Sequence, residues 1–314
     1  MEPLPDALPD LLPDALRVAE KSLAAAGVPS PRADAELLAA HLLGLEAGRA
    51  MSRGEVQSAA ILGRATPAGL SELIARRAAR EPLQHLVGTA AFRGLELAVG
   101  PGVFVPRPET EPVAEHAVAE ALALLAGGGA ARVVDLCTGS GAIALAVAHE
   151  APGAEVHAVE LDAAAHAWAA RNVAAVAPGV RLLRGDARTA LRELDGTVDV
   201  VVSNPPYVPP GAVPVDPEVA EHDPAVALYG LGADGLEVPR GITAAAVRLL
   251  RPGGLLVMEH AEVQDTAARA MVAATGAFDG IRTDVDLTGR ARMVVARRRV
   301  DGAAGSVGMG DSQP

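Results

Sequence analysis

Cysteine, aromatic residues and lysine are all scarce in this chain. One Cys among 314 residues excludes an intramolecular disulfide framework and a Cys-cluster zinc site, and it suits a reducing compartment, so a cytoplasmic location is expected. Aromatic side chains make up 2% of the sequence. That is too few for a stacking platform that would hold single-stranded nucleic acid, and it leaves the core to Ala, Leu and Val. Lys21 is the one lysine, and positive charge is in deficit as a whole: 27 Lys and Arg against 39 Asp and Glu give a formal charge of −12. Phosphate backbones therefore meet no general attraction, and no direct nucleic-acid partner is expected. No uninterrupted run of about 18 apolar residues is present, so no membrane-spanning helix is expected. The opening M-E-P-L-P-D lacks the basic and apolar regions of a secretory leader. The eight His residues form no HxH or HExxH pattern, so no metal site is expected, and His85, His222 and His260 read as structural or loop residues.

What is present divides by pattern. The repeat L-P-D-A-L-P-D-L-L-P-D-A-L resists a continuous helix until about Asp14, after which Leu16, Ala19, Leu23 and Ala26 fall at helical spacing. Ser30-Pro31 reads as an N-cap followed by proline in the first turn, and Ala35, Leu38 and Leu42 supply the apolar stripe of a helix reaching Gly44. Helical patterns over Gly54 to Leu62 and Pro67 to Arg80 complete a small helical domain, 1–82. Its Arg49, Arg53, Arg64, Arg76, Arg77 and Arg80 form either a solvated face or a docking surface for an acidic partner. In 83–106 the runs H-L-V-G, F-R-G-L-E-L-A-V and V-F-V-P, broken by glycine, read as a β-hairpin connector. From 107 to 300, strand candidates at Arg132 to Asp135, Glu155 to Glu160, Val180 to Leu183, Val198 to Val202 and Gly254 to Glu259 alternate with Ala-rich helical stretches. That alternation implies βαβ units and an α/β domain on a mainly parallel, doubly wound sheet. The tail 301–314 holds too little apolar surface to order itself and is expected to be disordered.

Four strand ends carry candidate chemistry. R-V-V-D-L-C-T-G-S-G-A-I-A-L (Arg132 to Leu145) is a buried strand ending in Asp135, then a loop Cys137-Thr138-Gly139-Ser140-Gly141, then a helix. Such a turn aims backbone N–H groups and a positive helix end at a ligand, here a nucleotide-like cofactor. It is neither G-x-G-x-x-G nor a Walker A loop, so pyrophosphate and nucleoside triphosphates lose their main warrant. Glu160 closes the next strand, H-A-V-E, where a carboxylate can accept from both hydroxyls of a ribose, or else simply face solvent. Asp186, in R-G-D-A-R, either accepts from an adenine amino group or belongs to an ordinary turn. Most telling is V-D-V-V-V-S-N-P-P-Y. Asn204 offers a side-chain carbonyl, Pro205 and Pro206 stiffen the chain and leave backbone carbonyls unopposed, and Tyr207 offers a flat face. Acceptors and a ring in that order suit a planar NH2 group, whose lone pair they can aim.

Together these blocks resemble the adenosylmethionine-dependent methyltransferases with an N-P-P-Y motif, and in particular the peptide chain release factor glutamine methyltransferases. The resemblance runs from about Pro31 to Arg297. It rests on P-R-A-D-A-E-L-L at Pro31, R-E-P-L-Q-H-L-V-G at Arg80, F-V-P-R-P-E-T-E at Phe104, H-D-P-A-V-A-L-Y-G at His222, A-D-G-L-E at Ala233, L-L-V-M-E-H at Leu255 and D-L-T-G-R-A-R-M-V-V-A-R at Asp286. It implies a Rossmann-like methyltransferase sheet with a small N-terminal helical domain that helps dock a protein substrate. The activity implied is transfer of a methyl group from S-adenosyl-L-methionine to the side-chain amide nitrogen of the glutamine in a release factor's Gly-Gly-Gln motif. By the same likeness Asp135 and Cys137 to Gly141 form the cofactor loop, Glu160 holds the ribose, Asp186 and Ala187 flank the adenine, and Asn204, which also borders the cofactor, holds the glutamine together with Pro205, Pro206 and Tyr207. Phe104 to Glu111 lie beside the methionine end.

Departures from the family pattern are local. Cys137 replaces the first glycine of the loop, a fit that requires a negative φ; Ala187 stands where some relatives carry an aromatic; and G-L-G-A-D before Gly235 is one residue longer than usual. Other readings change the acceptor, to a ribosomal-protein glutamine or a nucleic-acid adenine, or drop catalysis in favour of a cofactor-binding regulator. The oligomeric state is not written in the sequence, and a monomer is favoured.

Overall fold

A computed structural model describes residues 8–214 and 216–300; the expected disordered tail, 301–314, lies outside them. The first elements are helices α1 (Leu12–Ala25), α2 (Pro31–Ala47), α3 (Arg53–Ile61), α4 (Leu70–Ala78) and α5 (Leu83–Val87), then strands β1 (Thr89–Phe92) and β2 (Leu95–Ala98). Next come α6 (Glu111–Ala126), β3 (Arg132–Leu136), α7 (Ala142–Glu150), β4 (Glu155–Glu160), α8 (Ala163–Val176), β5 (Arg181–Arg184) and β6 (Val198–Ser203). The last are α9 (Pro217–His222), α10 (Ala225–Leu228), α11 (Glu237–Leu249), β7 (Leu250–Glu259), α12 (Asp265–Ala274), β8 (Phe278–Val285) and β9 (Ala291–Arg298). The described residues form two compact units, one holding residues 8–90, 98–105, 213–214 and 216–223, the other the remaining described residues.

In the helical unit, α1 starts at Leu12, ahead of Asp14, because Pro13 falls in the first turn, where its missing N–H costs nothing. Leu12, Leu16, Ala19 and Leu23 form its buried stripe. Helix α2 runs through Gly44 and stops at Gly48 in the left-handed conformation. A Cβ on Gly44 would stand 2.9 Å from the Arg49 carbonyl oxygen, so the absent side chain lets the chain fold back over the helix. H-L-V-G belongs to the short helix α5 and not to a strand; Gly88, at φ 77, ends it. The six arginines are committed to acids of the same unit: Arg49 to Glu55, Arg53 to Glu36, Arg64 to Glu46 and Arg76 to Glu81. Arg77 meets Asp34 and Glu218 at 2.7 Å each, and Arg80 meets Glu218 and Asp216. These pairs account for the acids of P-R-A-D-A-E and place Val213–Asp223, which sequence pattern assigns to the methyltransferase domain, with the helices.

The second unit is built on a seven-stranded sheet of order β5-β4-β3-β6-β7-β9-β8. Strands β5, β4, β3, β6 and β7 are parallel, and β9 runs antiparallel to both β7 and β8. The antiparallel pair is invisible to apolar patterning because β8, F-D-G-I-R-T-D-V, is an edge strand with few buried residues. Side chains alternate between two cores. Val133, Val200, Val202 and Val257 pack with α6 and α7, and Val134, Val201, Leu256 and Met258 pack with α11 and α12. From β3 the chain winds outward to β4 and β5, then returns to β6 and β7 on the other side, so the order reverses between β3 and β6, where such sheets bind ligands.

Candidate active site

Register fixes the site. Leu136 of β3 is opposite Val159 of β4 and Ser203 of β6, and Ser203 is opposite Met258 of β7. One residue further along, at the carboxyl edge, stand Cys137, Glu160, Asn204 and Glu259.

The loop after β3 is tightly wound, with Cys137 at φ 65, Gly139 at φ 59 and Gly141 at φ 89. The negative φ on which the Cys137 fit depends is thus not what the loop adopts: this residue takes the left-handed conformation of the glycine it replaces. Its thiol is packed near Ser203, and burial together with Glu160 and Asp135 pushes its pKa far up, which keeps it protonated and unreactive. Asp135, fully buried, accepts through Oδ2 from Thr138 Oγ1 at 2.5 Å and from the Ala144 N–H at 3.1 Å, while its Oδ1 has no partner. Burial pushes this carboxyl up to about 7. The Ser140 carbonyl accepts from Asn172 Nδ2 at 2.9 Å, which ties the loop to α8. Glu160 accepts from the Gly139 N–H through Oε2 and from the Asp162 N–H through Oε1, both at 2.8 Å. Burial outweighs these bonds and raises its pKa. Each oxygen keeps a further lone pair for a donor.

Asp186 and Ala187 stand apart from this network. Arg188 grips Asp186 with Nε at 2.9 Å and Nη2 at 2.7 Å, holding its carboxyl below the usual range, so any other donor must share those oxygens. Ala187 is buried in the core beside α11, with its side chain turned inward.

Asn204 donates from Nδ2 to Thr110 Oγ1 at 3.1 Å, and the Tyr207 hydroxyl donates to Glu259 Oε1 at 3.1 Å. The turn between them is braced through its backbone. Val208 N–H donates to the Leu228 carbonyl at 2.8 Å, Gly230 N–H donates to the Val208 carbonyl at 3.1 Å, and Gln264 Nε2 donates to the Tyr207 and Asp234 carbonyls at 2.8 and 3.0 Å. Backbone lies directly on backbone here: a Cβ on Gly230 would fall 1.8 Å from the Gly235 oxygen, and one on Gly235 would fall 2.4 Å from the Tyr207 oxygen. The longer stretch G-L-G-A-D is turned back by Leu231 at φ 60 and Gly232 at φ 66. Asp135, the glycine loop and Glu160 therefore form one connected group, and Asn204 to Tyr207 form a second.

Sequence reading assigns no individual role to Thr110, Glu259, Asp286 or Arg292, although each lies in a segment it singles out, and it overlooks Gln264. Glu259 is 3% exposed and follows an apolar strand just as Glu160 does, so the strand-end acid in V-M-E is the signal that was available. Asp286 holds Arg292 at 3.0 Å, and the guanidinium faces Tyr207 and Glu259.

A parallel sheet with one antiparallel strand beside its last parallel one, and two ligand-ready groups at its switch point, defines a methyltransferase of the doubly wound class. Family models agree by segment: the PrmC N-terminal domain matches residues 14–88 and the methyltransferase small domain matches 113–220. Among curated relatives, "Release factor glutamine methyltransferase" of Mycolicibacterium smegmatis is 52% identical, covering 90% of this chain and 96% of its own. The protein of the same name from Streptomyces coelicolor is 47% identical over 89% and 95%. A "4-amino-L-phenylalanine/4-methylamino-L-phenylalanine methyltransferase" of Streptomyces pristinaespiralis is 42% identical over 83% and 87%. The chain belongs to the release factor glutamine methyltransferase family.

Proposed function

We propose that this enzyme transfers a methyl group from S-adenosyl-L-methionine to the side-chain amide nitrogen of a release factor glutamine, the one in the Gly-Gly-Gln motif. The observation that carries the reading is the commitment of Asn204 Nδ2 to Thr110, which leaves Oδ1 as the end of the amide able to accept from an NH2 group. The Pro205 carbonyl is the second acceptor and the Tyr207 ring the flat wall.

The cofactor's donors fit the residues present: the unpartnered, buried Oδ1 of Asp135 suits an ammonium, and the lone pairs left on Glu160 suit ribose hydroxyls. When bound, it supplies an electrophilic methyl on a sulfonium. An amide nitrogen is a poor nucleophile because its lone pair is delocalised, so the protein's part is alignment and desolvation. Two acceptors on the NH2 hydrogens turn the lone pair toward the methyl and take up the positive charge that develops on nitrogen. With the methyl that the cofactor would supply, the C–N bond would form as the C–S electron pair passed to sulfur, and one N–H proton would then leave to solvent. In this reading the helical unit docks the release factor and the enzyme works in the cytoplasm. Among the described residues, no helix is long and apolar enough to cross a membrane.

The arylamine named for the Streptomyces pristinaespiralis relative is also a planar NH2 donor, and it defines the competing acceptor. The test is incubation with S-adenosylmethionine and an unmethylated bacterial release factor, with the methyl mapped by peptide mass spectrometry. The expected result is a methyl on the Gly-Gly-Gln glutamine. An unmodified release factor alongside a methylated 4-aminophenylalanine would overturn the acceptor and keep the chemistry.

A further inference from the structure

Glu259 lies at the end of β7, and every group facing it belongs to the Asn204 site or supports it. Tyr207 donates to its Oε1 at 3.1 Å, and the Thr110 hydroxyl, which Asn204 also reaches, lies close enough to the carboxylate to favour its ionised form. Arg292, itself held by Asp286, is the cation opposite, and Glu109 is the like-charged neighbour. Oε2 is buried without a partner. On its other side Thr110 Oγ1 accepts from Asn204 Nδ2 at 3.1 Å.

A hydroxyl has one proton to give. While Glu259 is ionised it takes that proton, and Thr110 can offer Asn204 lone pairs alone. Asn204 must then present NH2 to Thr110 and Oδ1 to the substrate. Once protonated, Glu259 can donate to Thr110, whose own proton is freed for Asn204. The amide is then stable turned over, with NH2 facing the substrate NH2, donor against donor.

We propose that Glu259 is a positioning residue for methyl transfer, acting through Thr110 to hold the Asn204 amide with Oδ1 toward the acceptor nitrogen. The inference rests on the glutamine methyltransferase reading of the site. Burial pushes the Glu259 carboxyl up to about 7, so the polarity of the relay changes within the working pH range.

The test uses the full chain with S-adenosylmethionine and an unmethylated release factor, from about pH 6 to 9, for the parent, Glu259→Gln, Thr110→Ser and Thr110→Val. S-adenosylhomocysteine affinity is measured alongside by calorimetry. In the parent, kcat is expected to rise with pH through about 7. In Glu259→Gln it should fall about 10- to 100-fold and lose that inflection, with ligand affinity within about threefold. Thr110→Ser keeps the inflection and Thr110→Val loses it, which reads the relay even if Glu259→Gln does not fold. A Glu259→Gln enzyme with the parent's kcat or the parent's inflection overturns the relay. A spectroscopic arm separates this failure from a wrong acceptor. The chain has two tyrosines and one tryptophan, so in a Trp168→Phe, Tyr229→Phe background near-UV absorbance above the phenylalanine bands reports Tyr207 alone. A Tyr207 transition near pH 7 that Glu259→Gln abolishes supports the relay even if no release factor is methylated. A spectrum indifferent to Glu259→Gln overturns it whichever acceptor is used.

Discussion

Cys137 holds a left-handed backbone, φ 65, in a loop where glycine would pay no steric penalty. Relief of that strain in Cys137→Gly, about 1–2 kcal/mol, is opposed by glycine's extra chain entropy and by loss of a packed thiol. The variant should therefore stay within about 1 kcal/mol of the parent, whereas Cys137→Val, β-branched at positive φ, should cost about 2–3 kcal/mol. Urea denaturation compares the three proteins, and a Val variant as stable as the parent would show that the loop is not left-handed there. At the same scale, Asn204→Ala should lower kcat about 100- to 1,000-fold while S-adenosylhomocysteine affinity changes less than about threefold, because the lost acceptor acts on the transferring nitrogen. An equal loss of both would contradict its role. Individual residues were legible where one segment contained the whole signal. Asp135, the glycine loop and Glu160 each close an apolar strand, and Asn204 to Tyr207 are contiguous. Glu259 closes a strand as well, but its significance depends on β7 lying beside β6 and on Thr110 approaching from far along the chain, neither of which a single segment encodes.

Helices and parallel strands follow apolar periodicity, and so were readable; what joins them is set by pairings between distant residues. The arginines of the helical unit show the difference. Clustered in sequence, they suggest a basic face, yet Arg77 is 3% exposed and shares its charge with Asp34 and Glu218, so it is part of the interior. Removing it leaves the buried Asp34 carboxylate without a cation, while Glu218 keeps Arg80. Arg77→Ala should destabilise by about 3 kcal/mol, whereas Arg64→Ala, losing a solvent-exposed pair with Glu46, should change stability by less than about 1 kcal/mol. Chemical denaturation distinguishes them, and similar small losses for both would return Arg77 to the surface face. Glu218 sits in the segment that follows the Asn-Pro-Pro-Tyr turn, so the same ion pairs fix a stretch of chain that leads away from the site. Edge strand β8 and the brace of Gly230 against Gly235 left weak traces in the sequence, because an exposed strand carries little apolar pattern and backbone contact appears only as an absent side chain.

Across the whole molecule the carboxylates whose pKa is displaced fall into two opposed classes. Asp234 and Asp265, hydrogen-bonded to Arg240 and Arg269, are held near 2, and they add stability that is present above the ordinary carboxylate value and lost as pH falls toward about 2. Asp135 and Glu259 behave in the reverse sense. Burial lifts each to about 7, so the folded chain keeps protons that the unfolded chain has already released. Their contribution is fully present below the ordinary value near 4 and is lost as pH rises to about 7, at up to about 1.4 kcal/mol per pH unit for each group. Glu259→Gln removes one of them while leaving an oxygen for Tyr207 and Thr110 to bond. The stability of Glu259→Gln relative to the parent should therefore increase between about pH 5 and 7 and then level off, as thermal unfolding at a series of pH values would show; a constant difference would mean that Glu259 ionises as freely in the folded chain as in the unfolded one. Ionised Glu259 is also the form that turns Asn204 Oδ1 toward the acceptor nitrogen. Over the same pH interval, then, the parent's kcat should climb while its folding free energy declines; in Glu259→Gln the climb should be missing and the decline reduced to the share that Asp135 carries, because the Glu259 proton controls the rate and only its own part of the stability.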